Sequence, residues 1–250
     1  DIIDDPESLK SAILSQDRLA QIECVLIQHR KRKGTPSICL HGETINRCIV
    51  TEGGLKFEVQ PGVNQNAGLF LDMAPLRTWL QENSENRNIL NLFAYTCSLS
   101  VAALAGGATQ AVNVDMSKPS ISWGIRNHEL NGQDPRSVKS IPHNMFRSWG
   151  RIKQFGRYDT IIIDPPSRQR GSFDAEKNYG AVLKKLGQLA NQSADIIATV
   201  NSPYLNEDFL LNQFQRYAPK CRFISMMPVA PEFADRFPER ALKIYHFTST

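Results

Sequence analysis

The sequence has no Cys-x-x-Cys pair and no glycine-rich phosphate loop. Nor does any apolar run approach the roughly 18–20 residues that a membrane helix needs. Each absence removes a class of protein. Five cysteines (Cys24, Cys39, Cys48, Cys97, Cys221) at scattered spacings leave one over, which argues against a disulfide framework and a zinc site and for reduced thiols. His41, His128, His143 and His246 show no ligand spacing, so no metal is expected. The first residues are acidic and polar with no signal-peptide pattern, and the expected compartment is the cytoplasm. A strong excess of either charge is also lacking: a net +4 over 250 residues permits a polyanionic partner without identifying one.

What remains is a chain long enough for one good core and a small appendage. Pro6 follows an acidic run and puts Leu9, Ile13 and Leu14 on one face, the pattern of a helix with proline in its first turn. A basic run, His29 to Lys33, suits a solvated surface or an RNA track. In "RCIVTEGGLKFEVQPG" two apolar-rich runs flank Gly53-Gly54, which predicts a hairpin. The polar stretch Gln81–Asn88 follows an amphipathic segment around Leu76–Leu80 and marks a boundary. Residues 1–85 are expected to form an α+β extension, and residues 86–250 the main domain.

In the main domain short apolar runs alternate with helical stretches. The runs are Ile89–Phe93, Ala111–Val114, Val138–Ile141, Asp159–Ile163, Ile196–Val200, Phe223–Met227 and Leu242–Phe247. Such alternation predicts an α/β fold, a mostly parallel sheet covered by helices on both faces. The last two runs are separated by the proline-broken "PVAPEFADRFPER" and are expected to pair antiparallel at one edge.

Open α/β folds bind ligands beyond the carboxyl ends of their strands, close to the first strand-to-helix turn. Here that turn is Ala94-Tyr95-Thr96-Cys97-Ser98, without a glycine before Gly106. A dinucleotide loop needs G-x-G-x-x-G for backbone approach to a pyrophosphate, so a dinucleotide is disfavoured. Asp115 ends the second run, where a carboxylate can accept from both hydroxyls of a ribose. A ribose without phosphates fits S-adenosylmethionine. The competing reading of Asp115 or Ser117 is a plain helix N-cap.

The fourth run supplies a second motif. Ile161–Ile163 leads into Asp164-Pro165-Pro166-Ser167, a rigid strand end beside the expected ligand. Such a loop can hold an acceptor against a methyl donor, with the Asp164 carboxylate and a proline carbonyl taking hydrogen bonds from a base edge.

The segments "NLFAYTCSLSVAALAGGATQAVNVDMS", "RNHELNG", "DPPS" and "FDAEKNYGAVLKKL" resemble the methyltransferase domain of bacterial large-subunit ribosomal RNA methyltransferases, above all the guanine-N7 domain, with the cytosine-C5 enzymes as relatives. "AGLFLDMAPLR" is similar to the family's segment before the first motif. The resemblance implies a class I, Rossmann-like fold with a seven-stranded sheet, S-adenosylmethionine as cofactor and an RNA base, usually of ribosomal RNA, as acceptor. It also implies roles for individual residues. Phe93, Ala94, Tyr95, Thr96, Cys97 and Ser98 would lie along the methionine part of the cofactor, Asp115 would hold the ribose, and Met116 would cover the adenine. Asn144, with Met145 beside it, falls where the family has an aspartate that accepts from the adenine amino group, and an amide oxygen can take that bond. Phe70 and Asp72 match the segment that folds over the cofactor. Cys97 departs from the family's glycine.

The acceptor atom follows from an absence. Methylation at cytosine C5 needs a thiolate to add to the ring. In the cytosine relatives it follows the fifth strand, and "ATVNSPYLNEDF" has no cysteine. A base nitrogen attacks a sulfonium once aligned with it, and guanine N7 needs no deprotonation. Asn201 and Tyr204 offer an amide and an aromatic face to the base, and Arg168, with Arg170 and Lys177 beyond, a contact to its backbone. Two alternatives stay open: a non-catalytic RNA-binding or assembly module that keeps the fold, and a small-molecule methyltransferase.

Overall fold

The computed structural model describes residues 5–17, 21–28, 37–64, 66–169, 173–235, 237–238 and 241–250. The basic run 29–33 and Arg170 lie outside them. The chain forms two compact units, residues 1–50 with 58–69 and residues 51–57 with 70–250.

In the smaller unit, α1 (Pro6–Gln16) starts at Asp5, whose carboxylate accepts the Ser8 N–H at 3.0 Å. The cap satisfies one of the donors a helix start leaves free. Strands β1 (Cys24–Ile27) and β2 (Ile38–Gly42) pair antiparallel. The expected hairpin is formed by β3 (Cys48–Glu52) and β4 (Leu55–Val59). Gly53 and Gly54, both at positive φ (56° and 77°), make its tight turn. That turn belongs to the larger unit.

The larger unit continues with α2 (Ala74–Asn83), β5 (Asn88–Leu92), α3 (Ser98–Ala105), β6 (Gln110–Val114), α4 (Lys118–Leu130), β7 (Val138–Ile141), α5 (Trp149–Gln154) and β8 (Tyr158–Ile163). A two-residue pair, β9 (Arg168–Gln169) and β10 (Phe173–Asp174), leads to α6 (Ala175–Leu183) and α7 (Leu186–Leu189). Then come β11 (Ala190–Val200), α8 (Asp208–Tyr217), β12 (Cys221–Met227) and β13 (Lys243–Ser249).

Seven strands form one sheet in the order β12-β13-β11-β8-β5-β6-β7. All seven apolar runs became strands of it, and β12 and β13 pair antiparallel at the edge as expected. The other neighbours, β11-β8-β5-β6-β7, run parallel. Ile161, Ile162 and Ile163 of the central β8 are all fully buried, since helices cover both faces. Each such side chain contributes about 1.5–3 kcal/mol of burial. Strand β11 begins earlier than its apolar run, at Ala190, through a register irregularity before Asp195. There Asp195 takes a hydrogen bond from His246 at 2.7 Å and pairs with Arg87, joining the ends of three segments.

Strand order reverses between β5 and β8. The chain goes outward through β6 and β7 and then returns to the other side of β5, which opens a crevice at the carboxyl ends of β5 and β8.

The first turn of the sheet is held by close packing of α2 on α3. A Cβ on Gly106 would lie 2.3 Å from the Gln81 carbonyl oxygen and 2.7 Å from its backbone carbons. Gly106 has φ −81°, so alanine is conformationally allowed there and the conflict is purely steric. Gly106→Ala should therefore lower stability by about 1–3 kcal/mol, the usual cost of overpacking. Urea unfolding of the two proteins measures it, and an unchanged midpoint would mean that α3 is free to move away.

Candidate active site

The crevice holds a cavity lined by Phe70, Met73, Asn91, Phe93, Ala94, Tyr95, Ser98, Leu99 and Asp164. Six of these were expected from sequence, and Met73, Asn91 and Leu99 were not.

The turn after β5 is made without glycine at a conformational cost. Phe93, Tyr95 and Cys97 all have positive φ (61°, 46° and 63°), each in a region that costs a side chain about 1–2 kcal/mol. This alternation throws Phe93, Ala94, Tyr95 and Ser98 onto the cavity. Thr96 and Cys97 are buried instead. The Thr96 carbonyl accepts from Asn127 Nδ2 at 2.9 Å, and the Cys97 sulfur lies against Gly124 of α4. Burial pushes the Cys97 thiol far up, with the Asp115 charge adding to the effect.

Asp115 sits at the end of β6. Its Oδ2 accepts the Tyr95 N–H at 3.0 Å and its Oδ1 the Ser117 N–H at 2.8 Å. The cap of α4 is Ser117, whose Oγ accepts the Ser120 N–H at 3.3 Å. Each Asp115 oxygen keeps a lone pair for a further donor. Burial raises its pKa, and the two backbone bonds oppose that rise.

Asp164 ends β8 inside the cavity. Thr199 Oγ1 donates to its Oδ1 at 2.5 Å. Burial pushes its pKa up to about 6, the Thr199 bond opposes this, and the charge of Asp72 raises it further. Asp72 is itself raised by burial, against its backbone bonds and Arg77. That arginine is committed elsewhere. Its Nε and Nη2 hold the two Glu52 oxygens at 2.6 and 2.7 Å, and Nη2 also donates to the Phe70 carbonyl at 2.9 Å. Asp164 thus lines the cavity, and Asp72, between the lining residues Phe70 and Met73, acts on it electrostatically.

Behind the cavity, Asn91 is buried in mid-strand. Its Nδ2 donates to Asn113 Oδ1 at 3.0 Å, while its Oδ1 has no partner. A buried acceptor without a donor is costly unless a ligand supplies one. The signal in the sequence was an amide inside the apolar run "NILNL". At the mouth, the Phe70 and Tyr95 rings lie 5.6 Å apart, and Tyr95 packs on Trp123 at 6.2 Å.

The remaining expected residues surround this centre without lining it. Asn144 uses its Oδ1 to accept the Phe146 N–H at 2.9 Å, which leaves one lone pair on that oxygen. Met145 is buried in the main core, and Met116 is exposed. In the strand-end loop Pro165 is buried and Pro166 exposed. Ser167 Oγ donates to the Asn201 carbonyl, tying the loop after β8 to the loop after β11. Tyr204 in that second loop is 89% exposed. Arg168 lies in β9, and only its backbone is among the described residues. Among the described residues no group of three or more His, Cys, Asp or Glu side chains is placed to hold a metal.

A doubly wound sheet with an acid after its second strand and a rigid acidic loop after its fourth defines a Rossmann-like nucleoside-binding enzyme. The model of a family described as S-adenosylmethionine-dependent methyltransferase matches residues 11–248, and the chain belongs to that family. Its cofactor is S-adenosylmethionine. Among curated proteins it is 35% identical to the ribosomal RNA large subunit methyltransferase K/L of Methylococcus capsulatus, over 69% of this chain and 24% of that one. With the protein of the same name from Shewanella pealeana it shares 37% identity over 61% of this chain and 22% of the other. The chain therefore spans about a quarter of the length of these relatives. Among solved structures, SMU.776 in complex with SAH has a TM-score of 0.78 at 25% identity, covering 85% of this chain and 58% of that one. The tRNA m1G37 methyltransferase of M. jannaschii shares the fold, with a TM-score of 0.71 at 15% identity over all of this chain and 70% of the other.

The cavity fits this cofactor. The Asp164 and Asp72 carboxylates suit its positively charged sulfur and amino group, and the Asn91 oxygen, which has no partner among the described residues, suits an ammonium donor.

Cys97 is accommodated by Gly124. A Cβ there would lie 2.2 Å from the Cys97 sulfur and 2.8 Å from its Cβ. Gly124→Ala should destabilise the protein by about 1–3 kcal/mol, and in a Cys97→Gly background by less than half as much. Thermal melts of the four proteins of this cycle decide the matter. Additive effects would show that the two positions do not interact.

Proposed function

We propose that the chain transfers a methyl group from S-adenosylmethionine to a nitrogen of a ribosomal RNA base, guanine N7 ahead of an exocyclic amine, in the cytoplasm. The main support is the Asp164–Ser167 loop at the cavity, an acceptor-rich, rigid strand end with no thiol beside it. The names of the curated relatives support the RNA substrate. Residues 1–85 would act as an extension that contacts RNA, and residues 86–250 as the methyltransferase domain.

When bound, the cofactor supplies an electrophilic methyl group on a positively charged sulfur. The turn Phe93–Ser98 and Asn91 hold its methionine end, Asp115 takes the ribose hydroxyls, and Met116, Asn144 and Met145 border the adenine. Phe70 and Asp72 close over it. Asp164 and the carbonyls of Pro165 and Pro166 accept from the base edge, Ser167 fixes the loop to Asn201, and Tyr204 and Arg168 hold the RNA around the base. No residue acts as a nucleophile. Alignment and the exclusion of water supply the rate.

Asp115→Ala should weaken S-adenosylmethionine binding about 10–100-fold, since a charged acceptor is worth about 1.5–3 kcal/mol. Calorimetry on both proteins measures this, and equal affinities would remove Asp115 from the ribose site.

Asp164→Ala should lower kcat/KM for RNA about 10–150-fold while changing cofactor affinity far less. The same carboxylate sets a pH dependence. With a pKa of about 6 in the folded protein, against a usual 3.8, it takes up a proton as pH falls through 6 and stops accepting from the base. Methyl transfer should therefore fall below about pH 6. Stability of the ligand-free protein moves the opposite way, because between the two values the folded form binds more protons, and it declines as pH rises from about 4 to 6. Tritium transfer from labelled cofactor to large-subunit ribosomal RNA, followed by nucleoside analysis, tests the whole reading. Label in C5-methylcytosine would overturn the nitrogen assignment, and no label in any RNA would overturn the RNA reading.

A further inference from the structure

The segment between β12 and β13 has no role in the site so far, and no feature of its sequence marked it beyond its prolines. It leaves β12 at Met227, on the side of the sheet where the β8 and β11 loops emerge, because β12 runs antiparallel to β13 and β13 antiparallel to β11. It then crosses toward the cavity. The Ala230 N–H donates to the Asp72 carbonyl at 3.1 Å, and the turn Pro231–Phe233 packs against the turn Leu71–Met73, whose Met73 lines the cavity. Buried Ala230 anchors the turn. Phe233 N–H and Ala234 N–H close it on Ala230 and Pro231 at 3.0 and 3.3 Å.

The result is a rigid support for an exposed ring. Phe233 is 51% exposed and has no ring contact among the described residues. Beside it stand Phe70 and Leu71, both more than a third exposed, and Phe70 also lines the cavity. This apolar patch is therefore continuous with the wall of the cofactor cavity. Asp164 lines the same cavity as Phe70 and Met73, so the patch borders the space into which the strand-end loop faces. An exposed aromatic ring, pinned beside a cavity that Asp164 lines, has the chemistry of a stacking surface for a neutral planar group.

We infer that Phe233 is the stacking partner of the acceptor base, holding it flat beside the Asp164–Ser167 loop. The inference rests on the RNA reading of the site. Ser167 is no aromatic, so the strand-end loop itself provides no ring, and Tyr204 stands on the loop tied to it by Ser167 and Asn201. Phe233 is carried by a different segment, the turn that packs on Leu71–Met73 at the cavity wall. A base between them would be unstacked from its neighbours, as an acceptor that is reached by a buried cofactor must be.

The test is steady-state methylation of transcribed large-subunit ribosomal RNA by the full chain, with SAH affinity measured in parallel. Phe233→Ala should raise KM for RNA about 5–150-fold, the effect of losing one base–aromatic stack, and leave SAH affinity and the melting temperature unchanged. Phe233→Trp should restore KM. Phe233→Leu, which keeps apolar area without a ring, should behave like the alanine variant. An unchanged KM in Phe233→Ala, or restoration by leucine, would overturn the stacking role while the wild-type protein still methylates RNA. A loss of SAH affinity would assign Phe233 to the cofactor instead and overturn it too. Absence of RNA methylation by the wild-type protein would overturn the RNA reading, and this inference with it.

Discussion

The Asp115 carboxylate is the constraint on which the site depends. It receives the Tyr95 N–H from the turn after β5 and the Ser117 N–H at the start of α4, and so fixes two loops from neighbouring strands to one point. The turn needs that support. Three side-chain-bearing residues in five stand at positive φ, a conformation that a glycine-rich loop adopts without penalty. Strain of this kind persists only where surrounding contacts over-determine it. A charged acceptor bonded to the backbone is one such contact, and the Asn127 bond to Thr96 is another.

The strain has a second consequence, electrostatic and not steric. Because the turn buries Cys97 and Thr96, the cavity wall is formed by Phe93, Ala94, Tyr95 and Ser98, none of them charged. Charge enters through Asp164, on which the charge of Asp72 also acts. Burial raises the pKa of both, and Arg77, held by Glu52 through two hydrogen bonds, only partly offsets the rise at Asp72. The cavity thus carries negative charge in a partly desolvated place, where a cationic ligand gains more than it would in water.

The fold was legible because its signal is local and repeated. Seven apolar runs mark seven strands, and the β3–β4 turn follows from two adjacent glycines. The strand boundaries shifted where tertiary contacts took over, as in β11, whose early polar residue Asn191 is held by Asp159 and Ser249. The site was legible in part. Asp115 and Asp164 could be placed since acids at the ends of apolar strands have few structural reasons to be there. The direction in which each turn residue faces could not be read, because it depends on the φ values of Phe93, Tyr95 and Cys97. Asn91 was missed for a similar reason. Only the assembled sheet shows that one of its amide atoms is satisfied by Asn113 and the other left for a ligand.

The charge balance of the cavity also bears on the choice of acceptor. Methyl transfer to guanine N7 moves the sulfonium's positive charge to the purine and leaves no proton to remove, so the number of positive charges at the site is the same before and after the step. In the proposed arrangement Asp164 would stabilise that charge on the base, and no base need be found for a leaving proton. An exocyclic amine would begin neutral, become cationic and then have to lose a proton to a nearby group. Asp164, at about 6, is suited to take one only while it is ionised and its bond from Thr199 yields. A C5 carbon would ask for a thiolate, and the cysteine nearest the cavity, Cys97, is buried against Gly124 with its proton firmly held. The arrangement therefore asks least of its residues when the acceptor is a ring nitrogen.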